Sequence, residues 1–347
     1  MRILQLLHSP SYGGAESHML ALGIALKQRG HAVCCAVPGG SWLAGQCEAA
    51  GLQVEILRMA GLYDLAALFK LRRLIRQWQA DIVHAHLVRA SQYAGWAVRG
   101  LPAVAVSTVH ATNVHKHMRR AKRLIAVSDA VRQNLLRQGH DPSRVITVHN
   151  GQSFTPPGPR DALRTELGLP SDAFVLLSAG RFVHAKGQDL MIEALKRCPH
   201  PVHLVLVGDH RSGYGQEQLA QAGERVHFLG YRPDVGRLLG VADAYLCASR
   251  REAISLSVIE AAAAGLPVIA TAVGGIPEVI EDGVQGRLVP PENADALASA
   301  ICELVANRAV GERWGRAGRQ RYEERFTLDH MIDGTEAVYA QALAARA

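Results

Sequence analysis

Aromatic residues are scarce, only 5% of 347. The cores must therefore come from Leu, Val, Ile and Ala, and the stacking platforms that single-stranded nucleic acid needs are few. The six cysteines (Cys34, Cys35, Cys47, Cys198, Cys247 and Cys302) contain no Cys-x-x-Cys spacing. Four of them, Cys34, Cys35, Cys247 and Cys302, sit in apolar stretches, where a thiol behaves as a small hydrophobe. No disulfide framework is expected, and the chain reads as a reduced, cytoplasmic protein. Long apolar runs are missing too. The longest uncharged stretch, Ala261 to Pro277, is interrupted by Gly265, Pro267, Gly274 and Gly275, which excludes a span of about 20 residues. The run Ile3 to Leu7 is too short for a cleaved leader. Low-complexity segments and short-period repeats are absent.

Apolar residues make up 48% and charged residues 20% of the chain, ordinary values for a globular protein. At roughly 150 residues per domain this length predicts two domains. The net charge of +7 is unevenly divided. Residues 1–150 carry 18 Lys and Arg against 7 Asp and Glu, a net +11, while residues 151–347 carry 20 against 24, a net −4. One basic group, Lys70, Arg72, Arg73 and Arg76, is interleaved with Leu68, Phe69, Leu71, Leu74, Ile75 and Trp78. The other is Lys116, Arg119, Arg120, Lys122 and Arg123, with His115 and His117 beside it. Basic and apolar residues alternating at helical spacing favour an anionic membrane surface, or an acceptor carrying phosphate or carboxylate, over a merely solvated face. Nucleic acid is not expected as a partner, because no binding motif accompanies the charge.

The chain alternates strand and helix patterns twice. Strands are predicted at Arg2 to His8, Ala32 to Pro38, Gln53 to Leu57, Ile82 to His84, Ala103 to His110, Arg123 to Val127 and Val145 to His149. Helices are expected from about Ala15 to Arg29 and from Leu65 to Gln79. After the Pro-rich stretch Thr155 to Pro159, strands recur at Phe174 to Ala179, His203 to Val207, Val226 to Phe228, Ala244 to Cys247 and Pro267 to Thr271. A helical tail follows at about Leu328 to Ala345. Such alternation implies an α/β fold with parallel sheets, covered on both faces, in two Rossmann-like domains. In such sheets ligands bind beyond the carboxyl ends of the strands. His8, His84, His86, His110, Asn150, Arg181 and Gly208 fall there, which suggests a catalyst working in a cleft between the domains.

The second half carries the sharper pattern. In Gly180-Arg181-Phe182-Val183-His184-Ala185-Lys186-Gly187, two cations follow a strand and can reach a dianionic phosphate, with flanking glycines for a tight turn. Further on, Glu252 precedes Glu260 by eight residues. Glu260 belongs in a helix, because Ala261 to Ala264 are strong helix formers and Gly265-Leu266-Pro267 ends the run. The helix N-terminus near Ile254 to Ser257 would present free N–H groups to an anion. Eight residues of helical rise, roughly 12 Å, would place the two carboxylates at opposite ends of a bound diphosphate.

These pieces resemble, in order and over nearly the full length, the retaining glycosyltransferases of the GT-B fold, family 4. The resemblance rests on Gly13-Gly14-Ala15-Glu16, Asp81-Ile82-Val83-His84-Ala85-His86, Thr108-Val109-His110, Val127-Ser128, Asn150-Gly151, Gly180-Arg181 with Lys186-Gly187, Val207-Gly208, Phe228-Leu229-Gly230, Glu252 with Glu260, and Gly274-Gly275-Ile276-Pro277-Glu278. It implies an acceptor domain at residues 1–153, with a C-terminal helix (about 330–347) packed back on it, and a nucleotide-sugar domain at residues 154–329. It implies further that Arg181 and Lys186 neutralise the departing diphosphate, Glu260 holds the ribose and Glu252 the donor sugar. Phe228 to Gly230, Leu229 included, would meet the nucleobase. Gly180, Ile254, Ser255, Leu256 and Ser257 would line the donor phosphates, and Gly13 and Gly14 would let the first loop approach. His110 would bind the transferred sugar near its reactive carbon. Lys116, Arg119, Arg120 and Arg123 would face the acceptor or a membrane.

The implied reaction moves a sugar from a nucleoside-diphosphate sugar, such as a UDP-sugar, to an anionic glycan or lipid-linked acceptor. The implied setting is bacterial cell-surface polysaccharide or lipopolysaccharide synthesis, with peripheral contact at the inner membrane. No cofactor or metal is expected, because the cations do what a divalent ion would do. His84, His86, His115 and His117 have no carboxylate-rich partner cluster nearby. The chain departs from the family at Ala253 and Ser255, where glycines are usual, which predicts a stiffer phosphate turn. Only 17 residues separate His110 from Ser128, which predicts an open acceptor side. Two alternatives keep the fold with another role: a sugar-nucleotide-modifying enzyme of the epimerase kind, and a non-catalytic subunit. The first loop lacks Gly-x-Gly-x-x-Gly, and no fingerprint acidic residue follows the second strand, which argues against a dinucleotide. Arg181, Lys186, Glu252 and Glu260 together argue against the subunit.

Overall fold

The computed structural model describes residues 1–9, 12–112, 116–199 and 201–345. Two compact units emerge: 1–150 together with 328–347, and 151–327.

The first unit is built on a seven-stranded, wholly parallel sheet. Its strands are β1 (Arg2–Leu7), β2 (Ala32–Val37), β3 (Gln53–Ile56), β4 (Ile82–His86), β5 (Val104–Val109), β6 (Arg123–Ala126) and β7 (Val145–Thr147). The order in space is β3-β2-β1-β4-β5-β6-β7. Near-continuous apolar strands such as β1 and β5 are buried along almost their whole length, because helices cover both faces. The helix Leu328–Ala344 belongs to this unit. Its Met331, Ile332, Val338 and Tyr339 enter the same core as Ile3, Met19, Leu22 and Ile82. Arg29 anchors its outer face by bonding to Asp329, Asp333 and Glu336.

The second unit holds a six-stranded parallel sheet of β8 (Phe174–Ala179), β9 (Val202–Val207), β10 (Val226–Phe228), β11 (Ala244–Cys247), β12 (Val268–Thr271) and β13 (Gly286–Val289), in the order β10-β9-β8-β11-β12-β13. Strand β13 and the helices Ala294–Ala306 and Arg308–Arg325 were not expected from the sequence. β13 is a four-residue edge strand carrying Gly286 and Arg287, so it lacks an apolar run. Gly286 is required there, since a Cβ would stand 2.0 Å from the Val268 carbonyl oxygen of the neighbouring strand. β4 also runs two residues further than predicted, because His86 pairs with Leu7 and Thr108 and is fully buried.

Each sheet reverses its winding once, between β1 and β4 in the first and between β8 and β11 in the second. Those switch points are where open α/β sheets receive ligands.

Candidate active site

In the second unit the chain leaves β8 through Gly180 into Arg181, whose guanidinium is exposed and makes no ion pair among the described residues. A short turn, His184–Lys186, follows and ends at Gly187 in the left-handed region (φ +68°). A side chain at 187 would be strained, and its Cβ would also fall 2.0 Å from the Ala248 carbonyl oxygen just beyond β11. Arg250 locks the turn from the other side. Its guanidinium donates to the His184 carbonyl oxygen at 2.8 Å and to both carboxylate oxygens of Asp189 at 2.8 and 2.7 Å. Gly274 (φ +54°) does the same for the next loop, with a hypothetical Cβ 1.8 Å from the Glu252 carbonyl oxygen, while Gly275 N–H donates to Ala253.

These clamps bring Lys186 and Glu252 together. Lys186 Nζ donates to Glu252 Oε1 at 2.5 Å, and Ser249 Oγ donates to the same oxygen at 2.9 Å. The Glu252 side chain is 9% exposed and that of Lys186 25%. Two residues assigned to opposite parts of a donor are thus paired with each other. Arg250 and Ser249 were not singled out in the sequence, although both stand within three residues of Glu252.

Glu260 lies in the helix Leu256–Ala263 and Glu252 in the loop before it. Only the second half of the interval between them is helical, so the 12 Å helical ruler does not apply. Glu260 makes no side-chain hydrogen bond or ion pair among the described residues. Desolvation pushes its carboxyl up from 4.5 to about 7. The helix begins at the buried Ser255, which supplies no side-chain cap, so the first-turn N–H groups are left to a ligand. Ser255 has φ −90° and ψ 107°, an ordinary extended conformation in which no glycine is needed. Its Oγ lies 3.2 Å from that of Ser257. Ile254 is buried, Leu256 half-buried. The Tyr245 hydroxyl bonds both the N–H and the carbonyl of Ala179, fixing the residue before Gly180.

Phe228 ends β10, and its ring packs 5.8 Å from Phe182 and 5.4 Å from His210, contacts the sequence reading did not foresee. Leu229 N–H and the Gly230 carbonyl are already bonded to Leu206 and Gly208. A base meeting this segment must use the groups that remain.

In the first unit Gly13 precedes the helix Gly14–Gln28 in extended backbone that any residue adopts. What constrains position 13 is space, because a Cβ would sit 3.2 Å from the Glu16 carboxylate. His110, just past β5, has Nε2 3.1 Å from His86 Nδ1. His18, not anticipated as a site residue, joins them from the helix. Its ring centroid is 4.8 Å from that of His110. Burial drives the His18 imidazole down to about 4 and those of His86 and His110 well below the usual range, so all three are neutral. His84 is committed elsewhere: Nδ1 bonds the Tyr339 hydroxyl at 2.6 Å and Nε2 bonds Thr108 Oγ1 at 2.7 Å. His117 is half-buried. His115 lies outside the described residues.

The three arginines of the second basic group make local contacts. Arg119 donates to the Gln138 carbonyl, Arg120 lies over the Trp96 ring, and Arg123 donates to the Lys122 carbonyl. The Lys116 side chain lies outside the described residues.

Comparison with known proteins gives this arrangement its family. Residues 159–321 match the family described as Glycosyl transferases group 1, and residues 12–152 match Glycosyltransferase Family 4. A D-inositol 3-phosphate glycosyltransferase of Mycobacterium marinum is 32% identical over 282 residues, covering 77% of this chain and 60% of that protein. An alpha-maltose-1-phosphate synthase of Mycobacterium tuberculosis is 32% identical over 249 residues, covering 65% and 64%. The chain thus spans less than two thirds of the length of these curated relatives. The crystal structure of Anabaena HepE in complex with UDP and glucose superposes with a TM-score of 0.88 at 23% identity, over 98% of this chain and 99% of that one. Two parallel α/β units of this kind constitute the GT-B fold. The chain belongs to the family 4, group 1 glycosyltransferases.

Proposed function

We propose that the chain is a retaining glycosyltransferase that moves a sugar from a nucleoside-diphosphate sugar, with UDP as the favoured nucleotide, to an anionic glycan or lipid-linked acceptor in cell-surface polysaccharide or lipopolysaccharide synthesis. The observation that carries this is the group at the carboxyl ends of β8 and β11: Arg181, without an ion pair among the described residues, Lys186 bonded to Glu252, and a desolvated Glu260, also without a partner among the described residues, in the uncapped helix that follows.

Departure of a nucleoside diphosphate builds negative charge on the leaving oxygen. Preorganised cations and helix N–H groups stabilise that charge without reorganising. Arg181 and Lys186 supply the cations, Lys186 turning from Glu252 to phosphate, which frees the Glu252 carboxylate for sugar hydroxyls. Glu260 accepts hydrogen bonds from the ribose. In retaining transferases of this kind, unlike retaining glycosidases, no carboxylate is clearly placed as a nucleophile. The acceptor therefore attacks from the front face of an oxocarbenium-like centre, and the leaving phosphate takes its proton. His110, neutral, donates or accepts a hydrogen bond on the transferred sugar.

Relatives that bear the name D-inositol 3-phosphate glycosyltransferase, and the basic first unit, support a phosphate-bearing acceptor. The HepE complex with UDP and glucose supports a UDP-hexose donor. Peripheral membrane contact is supported by the helix Leu65–Trp78. There Leu65 and Phe69 are 65% and 68% exposed, beside the exposed Tyr63, Lys70, Arg73 and Arg76. Arg72 instead turns inward, onto the Ala97 and Arg99 carbonyls.

Incubation with UDP-, GDP- and ADP-sugars, with nucleotide release as the readout, tests this reading. Release from one nucleotide class is the expected result. No release from any donor, with thermal stabilisation by NAD alone, overturns it.

A further inference from the structure

We infer that His18, His86 and His110 form a tripod that captures a zinc-class divalent ion in the first unit. The three ring centroids are 4.8, 5.4 and 5.5 Å apart. An ion about 2.0–2.1 Å from three imidazole nitrogens at tetrahedral angles sets ring centroids about 5 Å apart and nitrogens about 3.3 Å apart. One nitrogen from each ring already lies within 4.8 Å of the other two, and His86 Nδ1 is 3.1 Å from His110 Nε2.

The polar atoms of this cluster point to a ligand independently. Neither nitrogen of His18, a residue 6% exposed, makes a well-formed hydrogen bond, the nearest polar neighbour being the Asn150 side chain; on the fully buried His86 the unpartnered nitrogen is Nε2, across the ring from the Nδ1 that faces His110. Orphans of this kind are rare in folded proteins. Asn150, whose Oδ1 is itself buried and unbonded, stands beside His18. It would accept the second N–H of a ligating His18, as outer-shell carbonyls commonly do.

His84 cannot be a fourth ligand, because Tyr339 and Thr108 occupy both its nitrogens. The fourth position stays open for water or a substrate oxygen. An all-imidazole set selects Zn2+, Ni2+ or Cu2+ over Mg2+ or Ca2+. Such an ion is no cofactor of the transfer. Because it occupies His110, it competes with the sugar, a consequence that rests on the function proposed above.

The test uses the untagged full chain. Equilibrium dialysis should find one tightly held Zn2+ per chain. Affinity should fall by more than the 10–100-fold typical of an outer-shell change in His18→Ala and His86→Ala. It should stay unchanged in His203→Ala, which disrupts the stacked His203–His227 pair of the other unit. Co2+ in its place should give the intense visible bands of four-coordinate cobalt, a readout on the wild type that stands even if a histidine variant fails to fold. No tight binding, weak six-coordinate cobalt bands, or wild-type affinity in the His18 and His86 variants overturns the inference. Zn2+ should also inhibit nucleotide release, reversibly by chelator. Intact transfer without Zn2+ binding removes this inference alone, while Zn2+ binding without transfer removes the proposed function alone.

Discussion

Replacing Glu260 by Gln separates what the carboxylate costs the fold from what it does for a donor. The folded protein holds this carboxyl at about 7, against 4.5 for the ordinary group, because burial disfavours the charge. Between those two values the native state binds more protons than the unfolded chain. Stability is therefore full below pH 4.5 and falls as pH rises to 7. The difference corresponds to at most about 3 kcal/mol. Half of that, about 1.5 kcal/mol, is a fair expectation for a group that water partly reaches. Gln keeps the shape and never ionises. At 2–4 °C per kcal/mol, Glu260→Gln should melt about 3–6 °C above wild type at pH 8 and at the same temperature at pH 4.5. UDP affinity at pH 8 should meanwhile fall about 10–100-fold, the worth of charge-assisted bonds to ribose hydroxyls. Melting curves at both pH values, with calorimetric UDP titrations, provide the assay. An equal offset at both pH values, or unchanged UDP affinity, would refute the assignment.

Lys186→Ala and Arg181→Ala should each lower turnover about 100–1000-fold in steady-state kinetics on folded protein; Arg181→Ala should melt within about 2 °C of wild type, whereas Lys186→Ala, which leaves the buried Glu252 carboxylate without its cation, should melt several degrees lower. Gly274→Ala meets both positive φ and the Glu252 carbonyl, so chemical denaturation should register a loss above about 2 kcal/mol together with lost donor binding. Tyr339→Phe leaves buried His84 Nδ1 without its partner and should cost about 1–3 kcal/mol by urea melts. Leu65→Asp with Phe69→Asp should abolish co-sedimentation with anionic vesicles without changing nucleotide release in solution.

Most of the scaffold was legible because parallel strands buried on both faces are continuous apolar runs, as in Arg2–Leu7, Phe174–Ala179 and Val202–Val207. Strand β13 escaped because an edge strand of Gly-Arg-Leu-Val has neither an apolar run nor alternation. Arg181, Lys186, Glu252 and Glu260 were picked out of the sequence by strand-loop-helix punctuation. Their mutual state was not, since the 2.5 Å bond between Lys186 and Glu252 links positions 66 apart. His18 was invisible for the same reason. On a helix of small and apolar residues a lone histidine carries no signal until β4 and β5 bring His86 and His110 to it. Phe182 and His210 likewise gain meaning only when Phe228 arrives on β10.

The central claim is that the ends of β8 and β11 grip a pyrophosphate while Glu260 takes the ribose, and a crystal structure of the chain soaked with a UDP-sugar tests it most directly. Phosphate oxygens within hydrogen-bond distance of Arg181 and Lys186, the ribose on Glu260 and the sugar on Glu252 are the predicted result. A nucleotide bound elsewhere, or Lys186 still bonded to Glu252 with the phosphates distant, would contradict it.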